Sequence, residues 1–183
     1  MNNIRIDYLQ EGEQAAYRQM LLKSYAEYES IFQDPAAWQD YLKAIAASVD
    51  NTDSEGILVA KYEGVMVGGL QLFTNSTKAY GVPTIGIDST IVRLLGVHPQ
   101  YRGLGIAKKL LAAGLEFAQK RKDPSLYLHS GEGMKEAINM YLSMGFVRDK
   151  SKEFMNGDIL VKSFRYDLNE SSEEKLQKGE DVA

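Results

Sequence analysis

The chain has 183 residues, 44% of them hydrophobic and 25% charged, with no cysteine. This composition suits one globular domain burying about 70% of its unfolded surface, and it excludes disordered, collagen-like and coiled-coil classes, disulfide scaffolds, thiolate metal sites and a cysteine acyl-enzyme. Of the 25 acids and 21 bases, five acids and two lysines fall in the last 15 residues, so the body is almost neutral and lacks the clustered basic excess that nucleic acid requires.

Ile4, Ile6 and Tyr8 alternate with polar neighbours, which predicts a short half-buried strand. From Gln14 to Phe32 the apolar positions Tyr17, Met20, Leu21, Tyr25, Tyr28 and Phe32 recur every three or four residues, the period of one helix face. Asp34 followed by Pro35 supplies an N-cap and a first-turn proline for a second helix carrying Trp38, Tyr41, Leu42, Ile45 and Val49. Residues 50–55 read as a loop, and Ile57–Tyr62 and Val65–Phe73 as strands joined by a hairpin at Glu63-Gly64. Residues 75–83 read as another loop, and Ile85–Val97 as a third long strand. Gly103–Lys120 predicts a helix with Ile106, Leu110, Leu111, Leu115 and Ala118 on one face, stopped by Asp123-Pro124. A short strand Leu126–His129, a turn at Gly131-Glu132-Gly133 and a helix Met134–Met144 closed by Gly145 follow.

Phe146–Phe154 and Ile159–Leu168 read as strands flanking Asn156-Gly157, a strong hairpin signal. The acidic stretch 169–183 has little to bury and reads as a mobile tail. The order β-α-α-β-β-β-α-β-α-β-β over residues 1–168 predicts one α+β domain, a mixed α/β sandwich of seven mostly antiparallel strands and about four helices. No apolar run approaches the ~20 residues of a membrane span, and acids interrupt the first residues where a signal peptide is apolar. The expected setting is the cytoplasm, with no membrane partner.

The chemistry concentrates in Leu94–Leu111, LLGVHPQYRGLGIAKKLL. A strand ends at Val97, a proline interrupts it, and Gly103 and Gly105 stand where a helix begins. Glycines there admit an anion close to the backbone, and the unpaired amides and positive dipole end of the helix favour phosphate. Arg102 adds a donor for a charge-assisted contact. Gly96, inside a strand, marks a candidate bulge that exposes main-chain groups.

Here the chain resembles the GCN5-related N-acetyltransferase (GNAT) family. The motif stands as Arg102-Gly103-Leu104-Gly105-Ile106-Ala107, preceded by Val97-His-Pro-Gln-Tyr-Arg and followed at family spacing by Tyr141-Leu-Ser-Met-Gly145-Phe146, and the order of strands and helices matches over residues 1–168. The resemblance implies acetyl-CoA as cosubstrate and no metal. It places the coenzyme A pyrophosphate on Arg102 and the amides of Gly103, Leu104, Gly105, Ile106 and Ala107, with Lys108 or Lys109 screening the phosphates. It places the pantetheine arm along Leu95 and Val97, where Ile85–Val97 would splay from Leu126–His129. The absence of cysteine favours direct transfer to an amine over a covalent acyl-enzyme, and the resemblance implies the Leu95 amide as oxyanion donor and Tyr141 as the acid at the departing sulfur.

An amine with a pKa near ~10.4 must lose a proton before it attacks. The glutamate that many relatives carry on the long strand is absent, since Ile91 and Arg93 stand at the aligned positions, which leaves Asp88 and His129 as base candidates. Met134 replaces the family's common asparagine. The resemblance assigns the acceptor wall to the first two helices, with Tyr25, Tyr28, Phe32 and Trp38 beside Glu27 and Glu29, suited to a small-molecule or peptide amine. Two other readings stay open at this level: a non-enzymatic acyl-CoA sensor on the same fold, and a dinucleotide oxidoreductase, against which the third glycine of GxGxxG is replaced by Lys108. A homodimer is compatible with each.

Overall fold

Strand β1 (Ile4–Tyr8) pairs antiparallel with β2 (Gly56–Tyr62), which forms a hairpin with β3 (Val65–Phe73). Glu63 and Gly64 both have positive φ, 48° and 82°, the geometry of a two-residue turn that follows the twist of its strands. β3 pairs antiparallel with β4 (Thr90–Val97), and β4 pairs parallel with β5 (Ser125–Gly131). β5 then pairs antiparallel with β8 (Ile159–Asp167), which also carries β6 (Val147–Arg148) and β7 (Phe154–Asn156). The sheet therefore has the order β1-β2-β3-β4-β5-β8-β6, with β7 on β8. The computed structural model describes residues 3–168, so the tail expected over 169–183 lies outside the described residues.

Helices α1 (Gln14–Tyr25) and α2 (Pro35–Ser48) cover one face, where Tyr17, Leu21 and Ile45 pack on Ile57 and Val59. Helices α4 (Ile106–Lys120) and α5 (Lys135–Ser143) cover the other, where Ile106, Leu110, Leu111 and Tyr141 pack on Leu58, Ala60, Leu70, Val92 and Leu126. Residues 57 to 60 thus alternate between two cores, as the period of two requires. Each fully buried leucine or isoleucine contributes about 1.5–3 kcal/mol, so α4 is held to the sheet chiefly by its apolar stripe. Asp34 caps α2 as expected, its carboxylate accepting from the Ala36 amide at 2.9 Å.

The structure departs from the sequence reading in four places. The first helix ends at Tyr25 and tightens into a 3-10 segment, Ala26–Ile31. The stretch 75–83 contains a short helix α3 (Ser76–Tyr80), because the Asn75 side chain accepts from the Lys78 amide at 2.8 Å and starts a turn. Residues 85–89 are not strand: Pro83 begins a 3-10 turn that Gly86 closes at φ 69°, and β4 begins only at Thr90. Phe146–Phe154 is broken by a 3-10 turn, Lys150–Lys152, capped by Asp149, which gives eight strands rather than seven. The single parallel pair excludes a doubly wound nucleotide sheet. Among the described residues no helix is long and apolar enough to cross a membrane.

Candidate active site

The site lies where β4 and β5 part. They pair at only three positions, Thr90 with Leu126 through Val92 with Leu128, whereas β5 stays paired with β8 as far as Gly131. Beyond Val92, β4 carries a bulge: Arg93 pairs with Gln71 and Gly96 with Gly69, so Leu94 and Leu95 together face Leu70 alone. The bulge residue is Leu94, at φ 52°, and not Gly96 as the sequence suggested. Gly96 is glycine for another reason. A Cβ there would overlap Ser24 Oγ and lie 3.0 Å from Ser24 Cβ, so α1 could not pack this close to β4 around any side chain.

Into this opening points the start of α4. Gly103 and Gly105 have φ of 80° and 77°, the left-handed region that glycine enters without strain. A Cβ built on either would meet no atom within 4 Å, so the space beside the loop is left open. The first intrahelical bond runs from the Lys109 amide to the Gly105 carbonyl at 3.1 Å, which leaves the Ile106, Ala107 and Lys108 amides without helical partners. Beside them runs a cleft of about 530 Å³ whose walls include Ser24, Glu27, Leu95, Val97, Lys108 and Tyr141.

A second cavity, of about 180 Å³, adjoins the first, and Tyr28, Leu95, Ala137 and Tyr141 line both. Tyr141 on α5 is 5% exposed, packs on Phe146 and Phe164, and lies with its hydroxyl 3.5 Å from Ser130 Oγ. Burial raises its pKa, so the phenol keeps its proton at neutral pH and acts as a donor. The inner cavity is walled by Tyr25, Tyr28, Phe32, Tyr41 and Tyr80, with Arg93 and His129. The Tyr25 hydroxyl donates to the Leu95 carbonyl at 3.1 Å, which fixes the bulge to α1.

The predicted site residues fall into three groups. Leu95, Val97, Arg102, Gly103, Gly105, Ile106, Ala107, Lys108 and Tyr141 all line the outer cleft, whereas Leu104 stands in the loop without lining it. Tyr25, Tyr28, Phe32 and His129 line the inner cavity. Asp88 does neither: it is exposed and precedes β4, so it does not reach the reacting end of that strand.

Four roles change in detail. Arg102 is not a free cation: it pairs with Glu27 at 2.7 Å and donates to the Ser24 carbonyl at 3.0 Å, tying the loop to α1. Lys108 takes part in no ion pair among the described residues and is the cation that the cleft offers. Glu27 is spent on Arg102 and Glu29 is exposed, and among the described residues no carboxylate lines the inner cavity. His129 shares a 2.9 Å hydrogen bond between Nδ1 and the Tyr80 hydroxyl, and burial, aided by Arg93, lowers its pKa to about 4, too weak a base for an amine. Sequence reasoning missed Ser24, Tyr101, Ala137 and Met140 in the outer wall, for which only Gly96, as a mark of close approach, gave a signal.

A family model described as Acetyltransferase (GNAT) family matches residues 16–146. The chain is 34% identical over 85 residues to N-alpha-acetyltransferase 30 of Saccharomyces cerevisiae, covering 46% of this chain and 42% of that protein. It is 34% identical over 90 residues to the Escherichia coli protein named Uncharacterized N-acetyltransferase YjgM, covering 48% of each. The matched stretches thus span less than half the length of these curated relatives. Among solved structures, the PaiA N-acetyltransferase of Thermoplasma acidophilum in complex with coenzyme A aligns with a TM-score of 0.63 at 17% identity, over 89% of this chain and 99% of that one, which establishes a shared fold.

Proposed function

The chain belongs to the GNAT acetyltransferase family, and from that premise we propose that it transfers the acetyl group of acetyl-CoA to a primary amine, by direct attack with both substrates bound. The observation that carries this reading is the pair of adjoining cavities that share Tyr141 and Leu95, one opening on the glycine loop and the other on an aromatic pocket. The loop fits a pyrophosphate: its glycines leave room that a Cβ would fill, and the amides of Ile106, Ala107 and Lys108 lack helical partners.

Acetyl-CoA would supply an activated acetyl carbon and a thiolate leaving group. The chain's own residues bind, orient and move protons. Gly103, Gly105, Ile106 and Ala107 present main-chain donors, and Lys108 adds charge. The Leu95 amide, at the bulge, is the donor for developing negative charge on oxygen, where a fixed dipole in a dry site counts for more than in water. Tyr141 Oη holds the proton destined for sulfur, and burial keeps it there until it is needed. The inner pocket has aromatic walls, one guanidinium and no carboxylate, an environment that disfavours an ammonium ion and so lowers the acceptor's pKa. Its proton then leaves through cleft water, since His129 is too weak a base to hold it.

The test is release of free thiol from acetyl-CoA with a panel of polyamines, amino acids, aminoglycosides and peptide amines, with the product identified by mass spectrometry. We expect turnover that requires an amine and yields its N-acetyl derivative. Tight binding of acetyl-CoA with no turnover on any amine would make this a sensor, and an acetylated chain that forms without acceptor and then transfers its acetyl group would overturn direct attack.

A further inference from the structure

Among the described residues, Arg93 is the one charged side chain of the inner cavity's wall to which no ligand contact has yet been assigned. It is half-buried on β4, two residues before Leu95, and lines the inner cavity. Its Nη1 donates to the Ala79 carbonyl at 2.6 Å and its Cζ lies 4.7 Å from the centre of the Tyr80 ring, so the guanidinium stacks on an aromatic face. Among the described residues no carboxylate forms an ion pair with it, and none lines the cavity. A half-buried guanidinium held by one carbonyl and by the hydroxyl and ring of Tyr80 still has no anionic partner among the described residues, and its planar fork matches a carboxylate. The cavity's volume of about 180 Å³ is that of a site for one phenyl-sized or branched aliphatic group.

We propose that the acceptor is a free α-amino acid with an uncharged, apolar side chain, its carboxylate held by Arg93, its side chain among Phe32, Tyr80 and Phe154, and its amine toward Leu95 and Tyr141. This rests on the acetyltransferase reading and names its substrate. The same charge selects against two competing acceptors: polyamines are repelled by Arg93 and find no acid, and peptide amines lack the adjacent carboxylate.

The test separates the inference from the reading beneath it. Trp38, the chain's one tryptophan, packs on Phe32 and Tyr41 at ring distances of 5.2 and 5.9 Å, so its fluorescence reports occupation of the cavity without acetyl-CoA. Leucine and phenylalanine are titrated against isoamylamine and phenethylamine, which lack only the carboxylate, and against the amino-acid methyl esters and a leucine-started tripeptide. We expect at least tenfold tighter binding of the free amino acids, a difference that Arg93→Gln levels and Arg93→Lys keeps in reduced form. Acetyl transfer should follow the same order. Equal binding of amine, ester or tripeptide in the wild type overturns the proposal, a comparison that stands whatever the variants do to folding, and so does a preference that survives Arg93→Gln. Preferential binding of amino acids with no acetyl transfer supports the carboxylate site and overturns the transferase reading.

Discussion

Gly105→Ala and Gly64→Ala impose the same backbone strain in different surroundings, which makes them a matched pair. Gly105 has φ 77° and Gly64 φ 82°, and a Cβ at either meets no protein atom within 4 Å. Left-handed backbone costs alanine about 1–2 kcal/mol, offset by about 0.4–1 kcal/mol from the stiffer unfolded chain, for a net loss of about 1 kcal/mol in each variant. For a chain of this size that lowers Tm by about 2–4 °C, measurable by thermal melting. The affinities should diverge. The Gly105 methyl would enter the space proposed for the pyrophosphate, and losing two charge-assisted amide contacts of about 1.5–3 kcal/mol each should weaken coenzyme A binding by about 10²- to 10⁴-fold in calorimetric titration. Gly64 closes the β2–β3 hairpin away from the cleft, and its variant should bind as the wild type does. Equal affinities for the two variants would refute the assignment of the loop to phosphate.

Tyr141→Phe should lower kcat by about 10²- to 10⁴-fold while coenzyme A affinity and Tm hardly move, because the hydroxyl's neighbour, Ser130 Oγ, is 3.5 Å away and the ring packing is kept; a wild-type kcat removes Tyr141 from proton transfer. Gly96→Ala drives a methyl into Ser24 and should cost about 1–3 kcal/mol by denaturant unfolding; adding Ser24→Ala relieves the overlap with Oγ but leaves Cβ at 3.0 Å, so the double variant should recover only part of the loss. The folded chain holds His129 neutral down to about pH 4, against about 6.5 when unfolded, so protons favour the unfolded state between those values. Stability that is complete above pH 6.5 should therefore fall by about 2–3 kcal/mol more in the wild type than in His129→Phe as pH drops to 4, and parallel pH curves for the two would contradict the burial of a neutral imidazole.

What the sequence disclosed was what short-range chemistry encodes. Asp34-Pro35 caps a helix, Glu63-Gly64 turns a hairpin, and the glycines around Leu104 open a helix, because each signal lies within a few residues of its effect. Tyr141 was found through the resemblance, and the end of its helix through the closing Gly145. Contacts between distant residues stayed hidden. Arg102 meets Glu27 across 75 positions and Tyr80 meets His129 across 49, so Arg102 was read as a free phosphate ligand and His129 as a candidate base. Leu94 enters left-handed backbone with a side chain that does not favour it, so only the fold can place it there. The carboxylates near Phe32 suggested a cationic acceptor, yet Glu27 is occupied by Arg102, and the charge that faces the pocket is Arg93.

The account rests on main-chain donors at the start of α4 gripping a diphosphate. Amide proton NMR with and without coenzyme A reads this directly, residue by residue. We predict that the Gly103, Gly105, Ile106 and Ala107 amides shift downfield and exchange more slowly with solvent when coenzyme A is bound, while the Gly64 amide stays as it was. Saturating coenzyme A that left those four amides unmoved, with the responses elsewhere on the sheet, would contradict the assignment.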